Sequence, residues 1–266
     1  MIPKIIHYCW FGSKEMPDSQ KANVKKWRQL LPDYQFKCWS EKNFDIDAVP
    51  FTKEAKEANK WAFVADYVRL YALYNEGGIY MDTDVILYKS FDEYLKYSFF
   101  TSYEFHPSYR EHDRMLMMLD ENGNRKSSVA KDLKVPGVGL MSAIFASEPG
   151  CPLILDCLSL YNMSFAENRE RNYTIPTTLA ITAESYGFRY KNELQILDGN
   201  IAIFPSNVFA DYRTASDDSV AVHECTGSWK SRSLLKRIKV YFYKKSFFRK
   251  TYMIIRNIFE KNSLWY

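Results

Sequence analysis

The residues with the clearest chemical potential lie in residues 61–87, which read WAFVADYVRLYALYNEGGIYMDTDVIL. Asp82 and Asp84 follow directly after a short apolar run in this segment. Carboxylates at positions i and i+2 of an extended backbone point to the same side. Carboxylate oxygens suit Mg²⁺ or Mn²⁺, which also bind phosphate oxygens. A lone Asp-x-Asp also occurs in solvated turns, but a buried strand of an α/β sheet would deliver this one to the edge where ligands bind.

Asp66 and Arg69 form a second charged pair in the same segment. They are three residues apart, so they share one face of a helix. As a surface ion pair they would contribute little to stability. Their neighbours are apolar on most sides, however, and a charged pair inside a buried helix serves either as a structural pair or as a polar ligand site. The residues alone leave both readings open.

Polar and aromatic residues near both ends of the chain are further candidates. His223, Ser228 and Trp229 belong to the sequence HECTGSW. Neutral histidine is a common metal ligand, and serine and the tryptophan indole N–H can contact phosphate. The alternative is a loop that contributes a core tryptophan. Trp10 follows the first apolar run and could either stack on a flat base or fill the core.

The elements that would position these residues alternate between strand and helix. Residues 4–10 are continuously apolar, as in a strand buried on both faces. Residues 17–31 carry an apolar stripe at helical spacing, and residues 34–39 read as a second strand. This β-α-β order favours parallel pairing and an α/β fold. We predict one long helix over residues 53–75, stopped by Gly77-Gly78.

The later elements are predicted from shorter patterns. We expect residues 106–136 to be a loop-rich insertion with a short Met-rich helix, and residues 139–146 to be one extended run. The remaining predicted strands cover residues 79–81, 85–88, 99–105, 194–197, 201–204 and 220–222, and the remaining predicted helices cover residues 151–161 and 176–186. Together these patterns predict a three-layer α/β domain.

Composition limits the class of protein. The 266 residues are 47% hydrophobic and 17% aromatic, which excludes disorder for most of the chain and permits a large core. The five cysteines show no CxxC pair or zinc spacing, so reduced thiols in a cytoplasmic protein are expected. No run of about 18 apolar residues predicts a membrane span, and the N-terminal sequence does not resemble a signal peptide.

The basic residues are concentrated at the C-terminus. Residues 230–266 contain eleven Lys/Arg and one Glu, a balance of +10, so the other 229 residues carry −6 of the net +4. Basic and apolar residues alternate there as in a cationic amphipathic helix. We therefore divide the chain into a catalytic domain, residues 1–229, and a tail, residues 230–266. The tail either packs on its own domain or binds an anionic membrane surface, at about 1 kcal/mol per basic residue; no nucleic-acid-binding module is recognised.

Three blocks resemble a known family. They are IPKIIHYCWFG near the start, FVADYVRLYALYNEGGIYMDTDV in the middle and H-x-x-x-x-S-W near the end. In this order they resemble the DXD-containing sugar transferases of glycosyltransferase family 32, which are distant relatives of the clostridial glucosylating toxins. The resemblance implies a GT-A fold, a Rossmann-like α/β/α sandwich with a DxD metal site for Mn²⁺ or Mg²⁺. It also implies transfer of a sugar from a UDP- or GDP-sugar with retention at the anomeric carbon.

The resemblance also implies roles for individual residues. Trp10 would stack on the uracil or guanine of the donor, and Asp66 and Arg69 would hold hydroxyls of the donor sugar. Asp82 would contact the ribose or the sugar, and Asp84 would bind the metal. His223 would lie near or on the metal, and Ser228 and Trp229 would contact the diphosphate.

We therefore expect a metal-dependent retaining glycosyltransferase that acts on a saccharide or lipid-linked oligosaccharide in bacterial surface polysaccharide synthesis. It would be cytoplasmic, and its tail would hold it at the inner face of the membrane. Two alternatives stay open. One is a metal-dependent phosphohydrolase or nucleotidyltransferase that uses the paired aspartates, and the other is a membrane-surface binding protein that acts through its tail.

Overall fold

The computed structural model describes residues 1–105, 109–171 and 173–227. The strands are β1 (Ile5–Cys9), β2 (Gln35–Trp39), β3 (Gly78–Met81), β4 (Val85–Leu87), β5 (Phe99–Phe105), β6 (Val138–Leu140), β7 (Ile144–Ser147), β8 (Gln195–Leu197), β9 (Ile201–Phe204), β10 (Phe209–Asp211) and β11 (Ala221–His223). The helices are α1 (Asp18–Leu30), α2 (Pro50–Glu57), α3 (Trp61–Glu76), α4 (Tyr109–Met118), α5 (Pro152–Ser159), α6 (Phe165–Glu170) and α7 (Ile175–Glu184), with 3₁₀ turns at Ile46–Ala48, Asp92–Tyr94 and Leu160–Asn162. The predicted tail lies outside the described residues, so the division at residue 229 stays a prediction.

A central sheet organises the described chain. Its strand order is β2-β1-β3-β7-β5-β9-β8, with β6 paired to β5, and a smaller sheet has the order β10-β11-β4. Strand β1 lies parallel to both neighbours, with Ile6 opposite Phe36 on one side and Ile79 on the other. The predicted β-α-β unit is therefore confirmed. Because β1 and β3 are parallel, their carboxyl ends reach the same edge of the sheet.

The inner strands of the central sheet are buried on both faces. Side chains alternate between the faces along β3, where Tyr80 belongs to one core cluster and Ile79 and Met81 belong to the other. Helices α2, α3, α5 and α7 cover the Tyr80 face, while α1 and the smaller sheet cover the opposite face. This explains why the inner strands β1, β3 and β7 are mostly apolar, and it confirms the predicted α/β sandwich. No helix in the described ranges is long and apolar enough to span a membrane.

The predicted helix over residues 53–75 is wrong, because two helices occupy this stretch. Helix α2 ends at Glu57 and α3 begins at Trp61. Between them, Asn59 has φ 55°, a left-handed conformation that asparagine adopts more readily than most residues. The apolar spacing stays in phase across the break, so periodicity alone could not reveal it. The break lets α2 fold back against α3.

The single extended run predicted over residues 139–146 is also wrong. It forms two strands, β6 and β7, separated by three residues. The backbone carbonyls of Ser142 and Ala143 in this gap accept hydrogen bonds from Arg69 and Asp82, respectively. The Asp82–Ala143 bond extends the β3–β7 pairing by one residue, and the Arg69–Ser142 bond holds this gap beside the DxD motif.

Two elements were not predicted. Strand β10 pairs in parallel with β11. Helix α6 begins with a capping box in which Ser164 and Glu167 each bond the backbone at the other's position. The Ser-x-x-Glu spacing was a readable signal for this helix, whereas the three-residue β10 has no distinctive pattern of its own.

The turn from α3 into β3 depends on Gly77 and Gly78, which confirms the predicted helix stop. Their φ angles are 64° and 102°, which favour glycine. A Cβ atom at Gly78 would lie 2.6 Å from the backbone oxygen of Ile5. Buried His7 donates from Nε2 to the Gly77 carbonyl at 2.8 Å and accepts from the Trp39 indole at Nδ1 at 3.0 Å. Burial lowers the pKa of His7, so the neutral ring ties β1, β2 and the turn together.

Candidate active site

The DxD motif occupies a tight turn at the carboxyl end of β3. The backbone N–H of Val85 donates to the Asp82 carbonyl at 3.0 Å, as in a β-turn. The expected extended backbone is therefore wrong at Asp82–Thr83–Asp84, although the carboxylates still converge. The turn directs buried Thr83 into the protein and leaves Asp82 partly exposed.

Three side chains from distant parts of the chain meet at this turn. In the part of the chain that the structure describes, the ligand atoms of Asp82, Asp84 and His223 lie within 4.8 Å of one another. The Nε2 atom of His223 is 3.2 Å from Asp84 Oδ1 and 3.9 Å from Asp82 Oδ2. Strand β11 brings the histidine there, because it pairs antiparallel with β4 and sets His223 opposite Val85. Two carboxylates and one imidazole form a donor set that could hold a divalent cation.

Asp84 is held on both of its oxygens. Thr226 donates from its backbone N–H and from Oγ1 to Asp84 Oδ2, each at 2.7 Å, which leaves Oδ1 directed toward His223. Burial favours the neutral acid, but His223 and the Thr226 hydrogen bonds outweigh it and hold the pKa of Asp84 below its usual range. The carboxylate is therefore charged and oriented before any cation binds.

His223 is oriented by its other ring nitrogen. The Sγ atom of Cys225 lies 3.4 Å from His223 Nδ1. Burial lowers the pKa of His223, but Cys225 and Asp84 raise it well above its ordinary value. A cation at Nε2 requires the neutral ring, in which Nδ1–H faces the sulfur; such partners of a ligating histidine fix its tautomer and ring orientation.

The buried Arg69 connects the DxD motif to helix α3. Its Nη2 atom is 3.0 Å from Asp66 Oδ1 and 3.5 Å from Asp82 Oδ1. Its Nε and Nη1 atoms donate to the Ala65 and Ser142 carbonyls at 3.2 and 2.8 Å. The side chain is only 7% exposed, so most of its donors face the protein. This geometry suits an arginine that fixes the positions of two carboxylates.

Asp66 and Tyr80 complete this side of the site. Burial raises the pKa of Asp66 to about 6, although Arg69 opposes the shift. The Tyr80 hydroxyl donates to Asp82 Oδ1 at 2.9 Å, and the Arg69 guanidinium lies 4.5 Å from the centre of the Tyr80 ring. Asp66, Asp82 and Asp84 therefore each have a hydrogen-bonding or ionic partner within the protein.

Trp10 lies at the same sheet edge as the DxD motif. It directly follows β1, and its backbone N–H donates to the Trp39 carbonyl at 2.9 Å. The half-buried indole donates from Nε1 to the Lys14 carbonyl at 2.6 Å. Stacking on a base stays a prediction. Ser228 and Trp229 lie outside the described residues, so their roles stay predictions too.

The sequence reading missed residues that hold the predicted ones in place. Thr226 lies within the HECTGSW sequence, but its residue type and spacing do not single it out from its neighbours. Tyr80 had a readable signal, because strand alternation places it on the same side as Asp82 two residues later. The carbonyls of Ser142 and Ala143 had none, since their role depends on a long-range approach of the chain.

Comparison with known proteins identifies the segment that carries this site. A family model described as "Glycosyltransferase sugar-binding region containing DXD motif" matches residues 17–101, which is less than half of the chain. Inositol phosphoceramide mannosyltransferase 3 of Schizosaccharomyces pombe is 31% identical over 109 residues, covering 36% of this chain and 28% of the relative. Inositol phosphoceramide mannosyltransferase 2 of the same yeast is 33% identical over 101 residues, covering 36% and 29%.

These matches are local. The chain spans less than a third of the length of these two curated relatives. Among solved structures, the PaToxG glycosyltransferase has a TM-score of 0.40 at 17% identity, covering 69% of this chain and 68% of that chain. The match over residues 17–101 includes α1, Asp66, Arg69 and the DxD turn, and it confirms the resemblance of this segment to the sugar-binding region of DXD glycosyltransferases.

Proposed function

We propose that the chain is a metal-dependent, retaining glycosyltransferase that moves a sugar from a nucleotide-diphosphate sugar to a saccharide acceptor. The observation that carries this proposal is the convergence of Asp82, Asp84 and His223 at the end of β3. Asp82 and Asp84 lie within the segment that matches a DXD sugar-binding region. A phosphohydrolase could use the same aspartates, but it would not need the adjoining Asp66–Arg69 pair.

Different residues would bind the diphosphate and the sugar of the proposed donor. A cation held by Asp82, Asp84 and His223 would neutralise a diphosphate leaving group. Asp66 presents a carboxylate that can accept hydrogen bonds from sugar hydroxyls, and Arg69 keeps it at a fixed distance from Asp82. Because Thr226 and Arg69 hold these charges beforehand, little reorganisation is required as charge develops.

The family resemblance also supports the stereochemical part of the proposal. Among the residues that the structure describes, none stands out as a covalent nucleophile on the donor side of the site. We therefore favour front-face transfer, in which the departing diphosphate helps to remove the proton from the acceptor hydroxyl.

The names of the yeast relatives guide the choice of donor and acceptor. Both are named mannosyltransferases that act on inositol phosphoceramide, so mannose is the first sugar to test and a lipid-bearing acceptor is the first acceptor class. A role in bacterial surface polysaccharide synthesis, a cytoplasmic location and membrane attachment through residues 230–266 also remain our proposals. Liposome flotation of the full chain and of a chain lacking residues 230–266 tests the attachment, and equal flotation would exclude the tail as an anchor.

A donor screen tests the proposed activity. The melting temperature of the protein should rise with one UDP- or GDP-sugar in the presence of Mn²⁺, and that donor should be hydrolysed or transferred. Asp84→Asn should lose the Mn²⁺-dependent rise and at least tenfold in turnover, an order of magnitude expected for a metal ligand. Asp198→Asn is the matched control, because it makes the same change at an exposed position.

Three outcomes would contradict the proposal. Absence of both binding and turnover across the donor panel would exclude a nucleotide-sugar enzyme. Release of phosphate from simple phosphoesters would favour the phosphohydrolase alternative. Lipid binding that is unaffected by Asp84→Asn, without any donor binding, would favour a membrane-surface binding protein.

A further inference from the structure

One face of helix α1 carries buried polar groups that contact the DxD turn. Gln20, Asn23 and Trp27 occur at positions i, i+3 and i+7, so they share one face of the helix. Their exposed fractions are 3%, 9% and 0%. Buried glutamine and asparagine are uncommon and are usually hydrogen-bonded, so this face requires polar partners.

Those partners all belong to the turn that carries the metal-binding carboxylates. Asn23 Nδ2 donates to the Thr83 carbonyl at 3.2 Å. The Thr83 hydroxyl donates in return to Gln20 Oε1 at 3.1 Å. The Trp27 indole donates to the Val85 carbonyl at 3.0 Å. Helix α1 therefore holds the middle residue of the DxD motif by both its backbone and its side chain.

These hydrogen bonds from α1 add to the contacts that hold the two flanking carboxylates. Arg69 and Tyr80 hold Asp82, while Thr226 holds Asp84. Backbone bonds close the turn, from Val85 N–H to the Asp82 carbonyl and from Glu224 N–H to the Asp84 carbonyl, but none of these contacts holds Thr83 itself. Oxygen–metal distances are near 2.0–2.1 Å for Mg²⁺, so a small rotation of Thr83 would separate the two carboxylates from a shared cation. The α1 bonds resist this rotation.

We propose that Gln20 and Asn23 are positioning residues that set the cation affinity of the DxD site through Thr83. This inference rests on the proposed function, because it assumes that the carboxylates bind a divalent metal. It assigns helix α1 a second role beyond packing, which is to fix the turn at the carboxyl end of β3.

The sharpest test removes one hydrogen bond from either of its two ends. Thr83→Val deletes the hydroxyl, and Gln20→Leu deletes its acceptor. Mn²⁺ affinity is measured by titration calorimetry with UDP or GDP present, beside the metal-free melting temperature. We expect Mn²⁺ to bind on the order of 10-fold more weakly in each variant. The double variant should be no weaker than either single variant, since both remove the same bond, and Thr83→Ser should bind as the wild type does.

Thr52→Val is the matched control for a general loss of stability. Thr52 is fully buried and its hydroxyl donates to the Ile46 carbonyl at 2.5 Å. It lies at α2, away from the DxD turn, so this variant should lose melting temperature but keep its Mn²⁺ affinity. In turnover assays, Thr83→Val should require more Mn²⁺ and regain most of its kcat at saturating metal.

The outcomes separate this inference from the proposed function. Wild-type affinity for Mn²⁺ in Thr83→Val and Gln20→Leu would overturn the inference and leave the proposed function standing. Equal weakening in Thr52→Val would also overturn it, because the effect would then follow stability. Failure of the wild-type protein to bind Mn²⁺ with either nucleotide would overturn both.

Discussion

Asp66 should carry its negative charge at a cost to stability. Its side chain is 17% exposed, and burial raises its pKa from 3.8 to about 6 even though Arg69 lies beside it. A carboxyl whose folded pKa is raised contributes stability below its unfolded pKa and loses that contribution as the pH rises through its folded pKa. The difference of roughly two pKa units corresponds to about 3 kcal/mol at pH 8, at about 1.4 kcal/mol per unit.

Asp66→Asn tests this reasoning, because the amide resembles the protonated acid in shape and charge. The free energy of unfolding should be similar for variant and wild type near pH 4. The variant should become steadily more stable than the wild type between pH 4 and 6 and then level off, at about 3 kcal/mol by pH 8. Urea denaturation at pH 4, 5, 6, 7 and 8 measures the difference. Donor-sugar binding should fall in the same variant, because the charged acceptor of hydrogen bonds is removed.

The pH dependence of this difference is the critical result. Asp198→Asn, at an exposed position, should show a small difference at every pH. If Asp66→Asn is less stable than the wild type at pH 8, then the ion pair with Arg69 outweighs burial and the reasoning is refuted. Undiminished donor binding would instead refute the role of Asp66 as a sugar ligand.

Two further substitutions test the supports of the site. Thr226→Val should weaken Mn²⁺ binding roughly tenfold, because a hydrogen bond to charged Asp84 contributes about 1.5–3 kcal/mol; calorimetry at constant pH measures this, and unchanged affinity would show that the backbone N–H alone orients the carboxylate. Gly78→Ala should lower the free energy of unfolding by at least about 2 kcal/mol, because φ 102° and the 2.6 Å approach to Ile5 both oppose a side chain. Gly150→Ala, with φ 70° and no atom within 4 Å of the added carbon, should cost less in the same urea titration, and an equal loss would show that the close approach is unimportant.

Much of the site was predictable because its signals are local. The apolar spacing around Asp66 and Arg69 predicted a buried helix, and the glycine pair predicted where it ends. The apolar run before Asp82 predicted a strand that delivers carboxylates to a sheet edge. These inferences depend on helical and strand periods and on the conformational freedom of glycine, which neighbouring residues determine.

The errors arose where tertiary contacts override local pattern. Periodicity ran unbroken through residues 53–75, yet the chain turns at Asn59 so that α2 can pack on α3. The apolar run over residues 139–146 suggests one strand, yet it divides into β6 and β7, and the carbonyls of Ser142 and Ala143 bond Arg69 and Asp82. Neither bond could be anticipated, because each joins segments distant in sequence.

The sequence by itself therefore determined which residues could hold a metal and a sugar, and which elements would present them. Only the tertiary structure decided how they are held. Thr226 is 142 residues from Asp84, and their contact exists because β11 pairs with β4 in one register. Gln20 and Asn23 reach Thr83 because α1 packs against the turn. Registers and helix positions of this kind follow from burial of the whole core, which no local pattern encodes.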